Sequence, residues 1–400
     1  MKLCQVWDSD YPWDVRVEKI CDSLIKEGHE VHLICRNKNT IREEYEVLNG
    51  LHIHRLPVIH KKFTSIFSFP FFFNPLWLLT IHSIVDKYKI DCIVVRDLPM
   101  ALSGIIIAKI KKIPCFIDMA EPYPEMLQGY FILQKLSFTK KFINLIVRNY
   151  YLALIVERIS CKLCDHIFPV SNEIKKGLMD KGVSESKITV FHNTPTLSFC
   201  KRYHEDKKNS KPADKGPIKI VYVGDLTENR GLPIIINAVE ELKRQKEKYN
   251  LIIIGDGRYK NFLKKLVAKK KVADLVCFTG WVNHKDLITH LKACDIGIIP
   301  HLPTKHNNLT VPNKVFDYMA LGLPILSGNL LPIKKIIEET RSGYIFDYQD
   351  SDSIVHQLLA LKEQKLRDQL GMNGKIAVTQ KYNWGVDFLN FTNIMNVYIS

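Results

Sequence analysis

The sequence predicts an α/β chain of two parallel-sheet domains in series. Three observations carry that prediction. Apolar runs of strand length alternate with amphipathic helical stretches along nearly the whole chain, and such alternation builds a parallel sheet covered on both faces. The alternation breaks once, at residues 200–217, CKRYHEDKKNSKPADKGP, a polar stretch with Pro and Gly and no apolar period. Such a stretch reads as a domain boundary. The length of 400 residues also exceeds one ordinary core.

In the first half, residues 2–7 alternate as a strand. A loop from Asp8 to Asp14 leads to an amphipathic helix from about Val15 to Lys26, ended by Gly28, and Glu30 to Cys35 is the second strand. The pattern continues with strand 91–95, helix 99–111, strand 114–117, a long helical region 135–163, strand 166–170, helix 172–180 and strand 188–191. Ligands of such sheets bind at the carboxyl ends of strands. Asp14 and Arg16, in the first strand-to-helix loop, are therefore candidates to bind an acceptor. In Asp118-Met119-Ala120-Glu121-Pro122-Tyr123-Pro124-Glu125, Asp118 and Glu121 follow a strand end, where a carboxylate can orient a sugar hydroxyl or transfer a proton.

After the boundary the pattern restarts: strand 218–223, helix 231–246, strand 250–254, helix 258–270, strand 275–278, helix 284–293, strand 295–299, a short helix from Pro312 to Leu321, strand 324–326, helix 332–339, strand 343–346 and helices to the end. Gly224 lets the chain turn off the first of these strands. Arg230 stands just before the next helix, where a guanidinium can grip a phosphate with two hydrogen bonds. Gly255 and Asp256 form a second strand-to-helix glycine turn. Asn307, Asn308 and Thr310 supply short polar groups ahead of the Pro312 helix. That helix buries an arc of Val315, Phe316, Met319 and Ala320 and shows Asn313, Lys314 and Asp317 at its N-terminal end. Partial positive charge and free N–H groups make that end a seat for phosphate.

An apolar fraction of 46% and a charged fraction of 25% are those of a soluble globular chain. The net charge of +15 implies acidic partners: phosphorylated ligands, anionic lipid or nucleic acid. The aromatics lie in apolar runs and not on basic strands, which argues against nucleic acid. The ten cysteines are scattered, and only Cys161 and Cys164 are closely spaced. Buried reduced thiols are expected, and no metal. The N-terminal MKLCQVWDSD lacks the apolar core and cleavage site of a signal peptide.

Two basic-apolar stretches stand apart, HKKFTSIFSFPFFFNPLWLL at 60–79 and QKLSFTKKFINLIVRNYYLALIVER at 134–158. Polar residues and prolines make both too short to span a bilayer. Aromatics and leucines beside Lys61, Lys62, Lys140 and Lys141 suit a surface dipping into an anionic membrane interface. The alternative is domain core with solvated lysines.

Assembled, these segments resemble the family-4 glycosyltransferases. The resemblance is strongest over 218–347, where VGDLTENRGL, IIIGDG, FTGWV, ACDIGIIP, VPNKVFDYMALGLPIL and SGYIF follow the family's order and spacing. YPWDVRVEKICDSLIKEGHEVHLIC, DMAEPYPE and FPVSNEI match more loosely. The resemblance implies a GT-B fold, two Rossmann-like domains facing across a cleft. It divides the chain into an acceptor domain (1–199), a linker (200–217), a nucleotide-sugar domain (218–383) and a last helix (384–400) crossing back to the first domain. It implies transfer with retention, without a metal or other cofactor. Arg230 would hold the donor diphosphate and Asp317 the ribose. Asp225 stands where relatives carry a second basic residue, and we infer that Lys314 supplies that charge. Leu309 stands where a first acid is usual, and Ala120 where many relatives carry His.

The expected function is a retaining transferase that moves a sugar from a nucleotide-sugar to a glycan or lipid-linked acceptor in surface-polysaccharide assembly. It would work at the inner, cytoplasmic face of the membrane. A non-catalytic subunit holding a partner transferase there and a sugar-nucleotide epimerase are the alternatives.

Overall fold

A computed structural model describes residues 1–12, 14–37, 42–57, 72–133, 149–196 and 216–399. Lys61, Lys62, Lys140 and Lys141, expected at a membrane, lie outside the described residues, as do most of the expected linker 200–217 and the first part of the expected helical region 135–163. The chain forms two compact units. One comprises Met1–His192 with Phe388–Ser400, the other Asn193–Asp387. The border at 192/193 precedes the polar stretch because Thr194 and Pro195 are tied into the second unit. The Thr194 hydroxyl donates to Asp387 at 2.6 Å, and Trp384 N donates to Pro195 O at 2.9 Å.

The first unit holds a seven-stranded sheet, β1 (Lys2–Asp10), β2 (Glu30–Arg36), β3 (Tyr45–Leu48), β4 (Leu51–Arg55), β5 (Cys92–Arg96), β6 (Cys115–Met119) and β7 (His166–Pro169), in the order β3-β4-β2-β1-β5-β6-β7. All pairs are parallel except β3 with β4. Helix α1 (Val15–Lys26) starts where Asp14 accepts from the N–H groups of Arg16 and Val17, and it buries Val17, Ile20, Cys21 and Leu24 along one face. Around the sheet lie α2 (Pro75–Tyr88), α3 (Ala101–Lys111), α4 (Tyr123–Leu133), α5 (Tyr150–Leu163) and α6 (Asn172–Asp180).

Several elements differ from expectation. The β3–β4 hairpin turns on Asn49-Gly50, both at positive φ, a pair suited to a two-residue turn. Helix α2 takes up residues 75–79 of the first basic-apolar stretch. Asn74 caps it, Pro75 opens it, and Trp77 and Ile81 are core residues, while Leu79 faces solvent. Helix α4 follows Pro122, in a stretch to which the sequence assigned no element. Residues 188–191 form no strand; Ile188 makes a single bridge to Ile167.

The second unit is a six-stranded, wholly parallel sheet: β8 (Ile218–Val223), β9 (Tyr249–Ile254), β10 (Val276–Gly280), β11 (Ile296–Ile299), β12 (Ile325–Gly328) and β13 (Gly343–Phe346). The order β10-β9-β8-β11-β12-β13 reverses direction between β8 and β11. Its helices are α7 (Leu232–Arg244), α8 (Lys260–Lys269), α9 (His284–Lys292), α10 (Lys314–Leu321), α11 (Leu331–Thr340), α12 (Ser351–Ala360) and α13 (Gln364–Gln380). The last helix, α14 (Trp384–Ile399), begins in this unit, and its Phe388 onward belongs to the first.

Helix α10 starts at Lys314, two residues later than expected, with Pro312 in the turn before it. It is more deeply buried than its pattern suggested, because Tyr318 and Leu321 join Val315, Phe316, Met319 and Ala320 in the core. The Tyr318 hydroxyl donates to Val221 O and accepts from Val223 N, both at 3.2 Å. Those two bonds pin the helix to the end of β8. Among the described residues no helix is long and apolar enough to cross a membrane, and no cluster of His, Cys, Asp and Glu could hold a metal ion.

Candidate functional site

The reversal of strand order between β8 and β11 opens a crevice at their carboxyl ends, the usual ligand position in such sheets. Gly224 leaves β8 at φ +136, and a Cβ there would lie 2.8 Å from Lys314 Nζ. Gly231 (φ +66) ends the short turn Glu228–Arg230, and a Cβ on it would strike Pro300 O. The two glycines thus let the turn after β8 close on the exit of β11. Gly255, at the end of β9, backs directly onto the Gly224 carbonyl.

This closure gathers three basic side chains. Arg230 Nη1 is 3.4 Å from His301 Nδ1, and Lys314 Nζ is 3.3 Å from His301 Nε2. Lys314 Nζ also lies 4.2 Å from the centre of the Tyr222 ring. His301 is 2% exposed. Burial first, then Lys314, Arg230 and His306, hold its basicity well below the ordinary histidine value. Lys314 is likewise held well below the ordinary lysine value by burial and then by Arg230, with Asp317 and Asp225 opposing. Arg230 Nε is buried without a hydrogen-bond partner.

The other residues expected at the donor divide. Asp317 lies in the first turn of α10, half-buried, with its charge felt at Lys314. Asn313 is exposed beside that turn and accepts from Asn193 at 3.0 Å. Asn308 Oδ1 accepts from Leu331 N at 3.2 Å, at the start of α11. Asp256 is exposed, paired with Lys260 and accepting from Gly257 N at 2.8 Å. Lys260, its partner, is the first residue of α8. His301 is not among the residues the sequence singled out. Its signal was its place one residue past Pro300, at a strand's carboxyl end.

In the first unit the expected residues are largely engaged with one another. Asp118 and Arg16 are 0% and 1% exposed and bind each other. Arg16 Nε donates to both Asp118 oxygens at 2.9 and 3.0 Å, Nη2 donates to Oδ1 at 2.6 Å and to Phe191 O at 2.9 Å, and Arg96 Nη1 donates to Oδ2 at 3.2 Å. Burial opposes ionisation, but Arg16 and Arg96 hold the Asp118 carboxyl below its ordinary value. A buried guanidinium needs such a partner, so neither side chain is open to a substrate. Asp14 Oδ1 is taken by the α1 cap, and its Oδ2 lies 3.6 Å from Arg96. Glu121 is half-buried at the approach to α4 and is the expected catalytic carboxylate that keeps some exposure.

A residue passed over in the sequence is Asp97, at positive φ where β5 ends. Its Oδ1 accepts from Ala120 N (2.8 Å) and Glu121 N (3.0 Å), and its Oδ2 accepts from Arg96 Nε at 3.1 Å. Burial, with Glu121 and Asp118 adding, pushes its carboxyl up to about 6 against the pull of Arg96. The Arg96-Asp97 pair at a strand end was the available signal.

The family model described as glycosyl transferases group 1 matches residues 204–377, and that of glycosyltransferase family 4 matches residues 14–195. The amylovoran biosynthesis glycosyltransferase AmsK of Erwinia amylovora is 30% identical over 148 residues, 37% of this chain and 36% of that protein. The chain spans about half the length of the curated relatives it matches. Among solved structures, the sucrose-phosphate synthase of Thermosynechococcus elongatus superposes with a TM-score of 0.74 at 15% identity, over 99% of this chain and 98% of that one. HepE of Anabaena, solved with UDP and glucose, gives 0.69 at 12% identity, over 99% and 100%. These likenesses show that the fold is GT-B.

Proposed function

We propose that this chain, which belongs to the family-4 glycosyltransferases, moves a sugar from a nucleotide-diphosphate-sugar to a glycan or lipid-linked acceptor with retention of configuration. The observation that carries the donor half is the meeting of Arg230 and Lys314 on His301 beside the Gly224 turn. Two basic side chains at a strand-order reversal suit a diphosphate. The match to a HepE structure holding UDP and glucose supports the same reading.

In this reading Arg230 and Lys314 bind the diphosphate and stabilise the negative charge that grows on it as the sugar–phosphate bond breaks. Lys314 stands in for the basic residue missing at Asp225, so the reading needs no metal. Asp317, one turn along α10, takes the ribose, and Asn313 lies at the same helix end. Glu121 is the carboxylate left to meet the acceptor. Retention rests on the family resemblance, and the polysaccharide role on the likeness to the amylovoran enzyme.

The test is a nucleotide-sugar screen read by mass spectrometry, with binding measured by calorimetry. We expect one nucleotide-sugar to bind and turn over. Arg230→Ala should weaken it roughly 10- to 150-fold, the equivalent of about 1.5–3 kcal/mol for a charged hydrogen bond, with the melting temperature unchanged. Binding without turnover on any acceptor would favour the non-catalytic subunit, a reading suited to the burial of Asp118. Conversion of the donor sugar without an acceptor would favour the epimerase.

A further inference from the structure

The three basic groups of the crevice pose a problem of hydrogen-bond accounting. Arg230 is always protonated and can only donate. His301 Nδ1, facing it at 3.4 Å, must therefore offer its lone pair. The proton of a neutral imidazole then sits on Nε2, which can only donate. Nε2 faces Lys314 Nζ at 3.3 Å. That contact is satisfied only if Nζ accepts, which an ammonium cannot do and a neutral amine can. Each alternative sets two donors against each other. If Lys314 is an ammonium donating to Nε2, the ring proton moves to Nδ1 and points at Arg230. If the ring is an imidazolium, it presents N–H groups to two cations.

We propose that Lys314 is a neutral amine in the empty site and takes up a proton when the diphosphate of the donor binds. This rests on the donor-site reading above and adds to it that the site acquires part of its charge on binding. The groups facing Lys314 bear this out. Tyr222 on β8 presents its ring, Arg230 adds a positive charge, and His301 after β11 supplies the N–H. The opposing carboxylates are Asp225, which is exposed, and Asp317 on the lysine's own helix, which is half-buried. Burial and Arg230 act in the same sense as the hydrogen-bond accounting, since both disfavour an ammonium here. A diphosphate reverses that balance by bringing negative charge next to the amine. The step balances as amine plus one proton from solvent giving ammonium, with the ring proton staying on His301.

The test is calorimetry of the full chain with UDP-glucose, GDP-mannose and dTDP-glucose, whose diphosphate diesters carry no titrating proton near neutrality. Each titration is repeated at pH 8 in buffers of differing ionisation enthalpy. We expect the ligand that binds to take up about one proton per site, and its Kd to rise roughly tenfold per unit between pH 7 and 9. In Lys314→Arg the side chain stays charged, so binding should persist with no uptake and a flat pH profile. Wild-type binding without proton uptake overturns the proposal and leaves the donor reading standing. Uptake that survives in Lys314→Arg also overturns it. Binding of none of the three overturns both.

Discussion

Asp118 shows how one residue type in one position supports two opposite roles. A carboxylate just past a strand end is where a sheet presents catalytic acids, and it is equally where a helix start can bury an arginine. The partner that decides between them, Arg16, lies 102 positions away, so nothing local in the sequence reveals the pairing. The two roles predict different failures. Removing one member of a buried pair leaves the other charge uncompensated, at a cost of about 3–5 kcal/mol. We therefore expect Asp118→Ala to lower the denaturant midpoint sharply, and Arg16→Met with Asp118→Leu to recover much of the loss. A catalytic Asp118 would instead give a variant of normal stability and lost turnover. Arg230 and Lys314 were legible for the opposite reason: their glycine turn and helix start are local, and both lie at strand ends. Their meeting on His301 was not, because it depends on the fold bringing residue 230 against residue 301.

At the scale of elements, some helices with capped ends were read well. Helix α6 has the same bounds in sequence and structure, and Ser171 accepts from Ile174 N at its start. The elements passed over were those whose signals competed with others. The β3 strand is four residues long and mostly exposed, leaving Asn49-Gly50 as its one strong mark. Helix α2 was masked by the aromatic run before it. The β2–β4 edge that the hairpin completes carries a consequence of its own. His32 and His54 are buried there, with Nδ1 and Nε2 3.0 Å apart, and His52 stacks on His32 at 4.7 Å. Burial, then His32, His52 and Lys87, push His54 down to about 4, and burial also lowers His32. A base whose folded pKa lies below its unfolded value of about 6.5 is protonated first in the unfolded chain. Its stabilisation is whole above pH 6.5 and is lost as pH falls through about 4. The melting temperature should thus decline over that window, and His54→Asn should shallow the decline. His166, also pushed down to about 4, keeps part of it in place. An equally steep decline in His54→Asn would remove His54 from the account.

For the whole molecule, composition said more than motif. The two-unit plan followed from length and alternation, and the +15 charge pointed to acidic partners without choosing among them. The described surface of the first unit offers a test of the lipid-linked acceptor reading. Helices α2, α3 and α5 pack side by side. Their exposed residues include Leu79, Ile106, Ile110, Tyr151, Ile155, Ile159 and Leu163. Exposed Lys87, Lys109, Arg158 and Lys162 lie on the same helices. Apolar side chains among cations suit an anionic bilayer surface, where each basic residue contributes about 1 kcal/mol and each buried aliphatic side chain about 1.5–3 kcal/mol. Ile155 and Ile159 lie one turn apart on α5, in the first unit, whereas the residues of the donor crevice belong to the second. Ile155→Glu with Ile159→Glu should therefore weaken cosedimentation with phosphatidylglycerol vesicles by roughly tenfold or more, while nucleotide-sugar binding stays as in the wild type. Phosphatidylcholine vesicles should retain little of either protein. Equal binding to both lipids, or no change in the variant, would mean that this helical layer is not a membrane-binding surface.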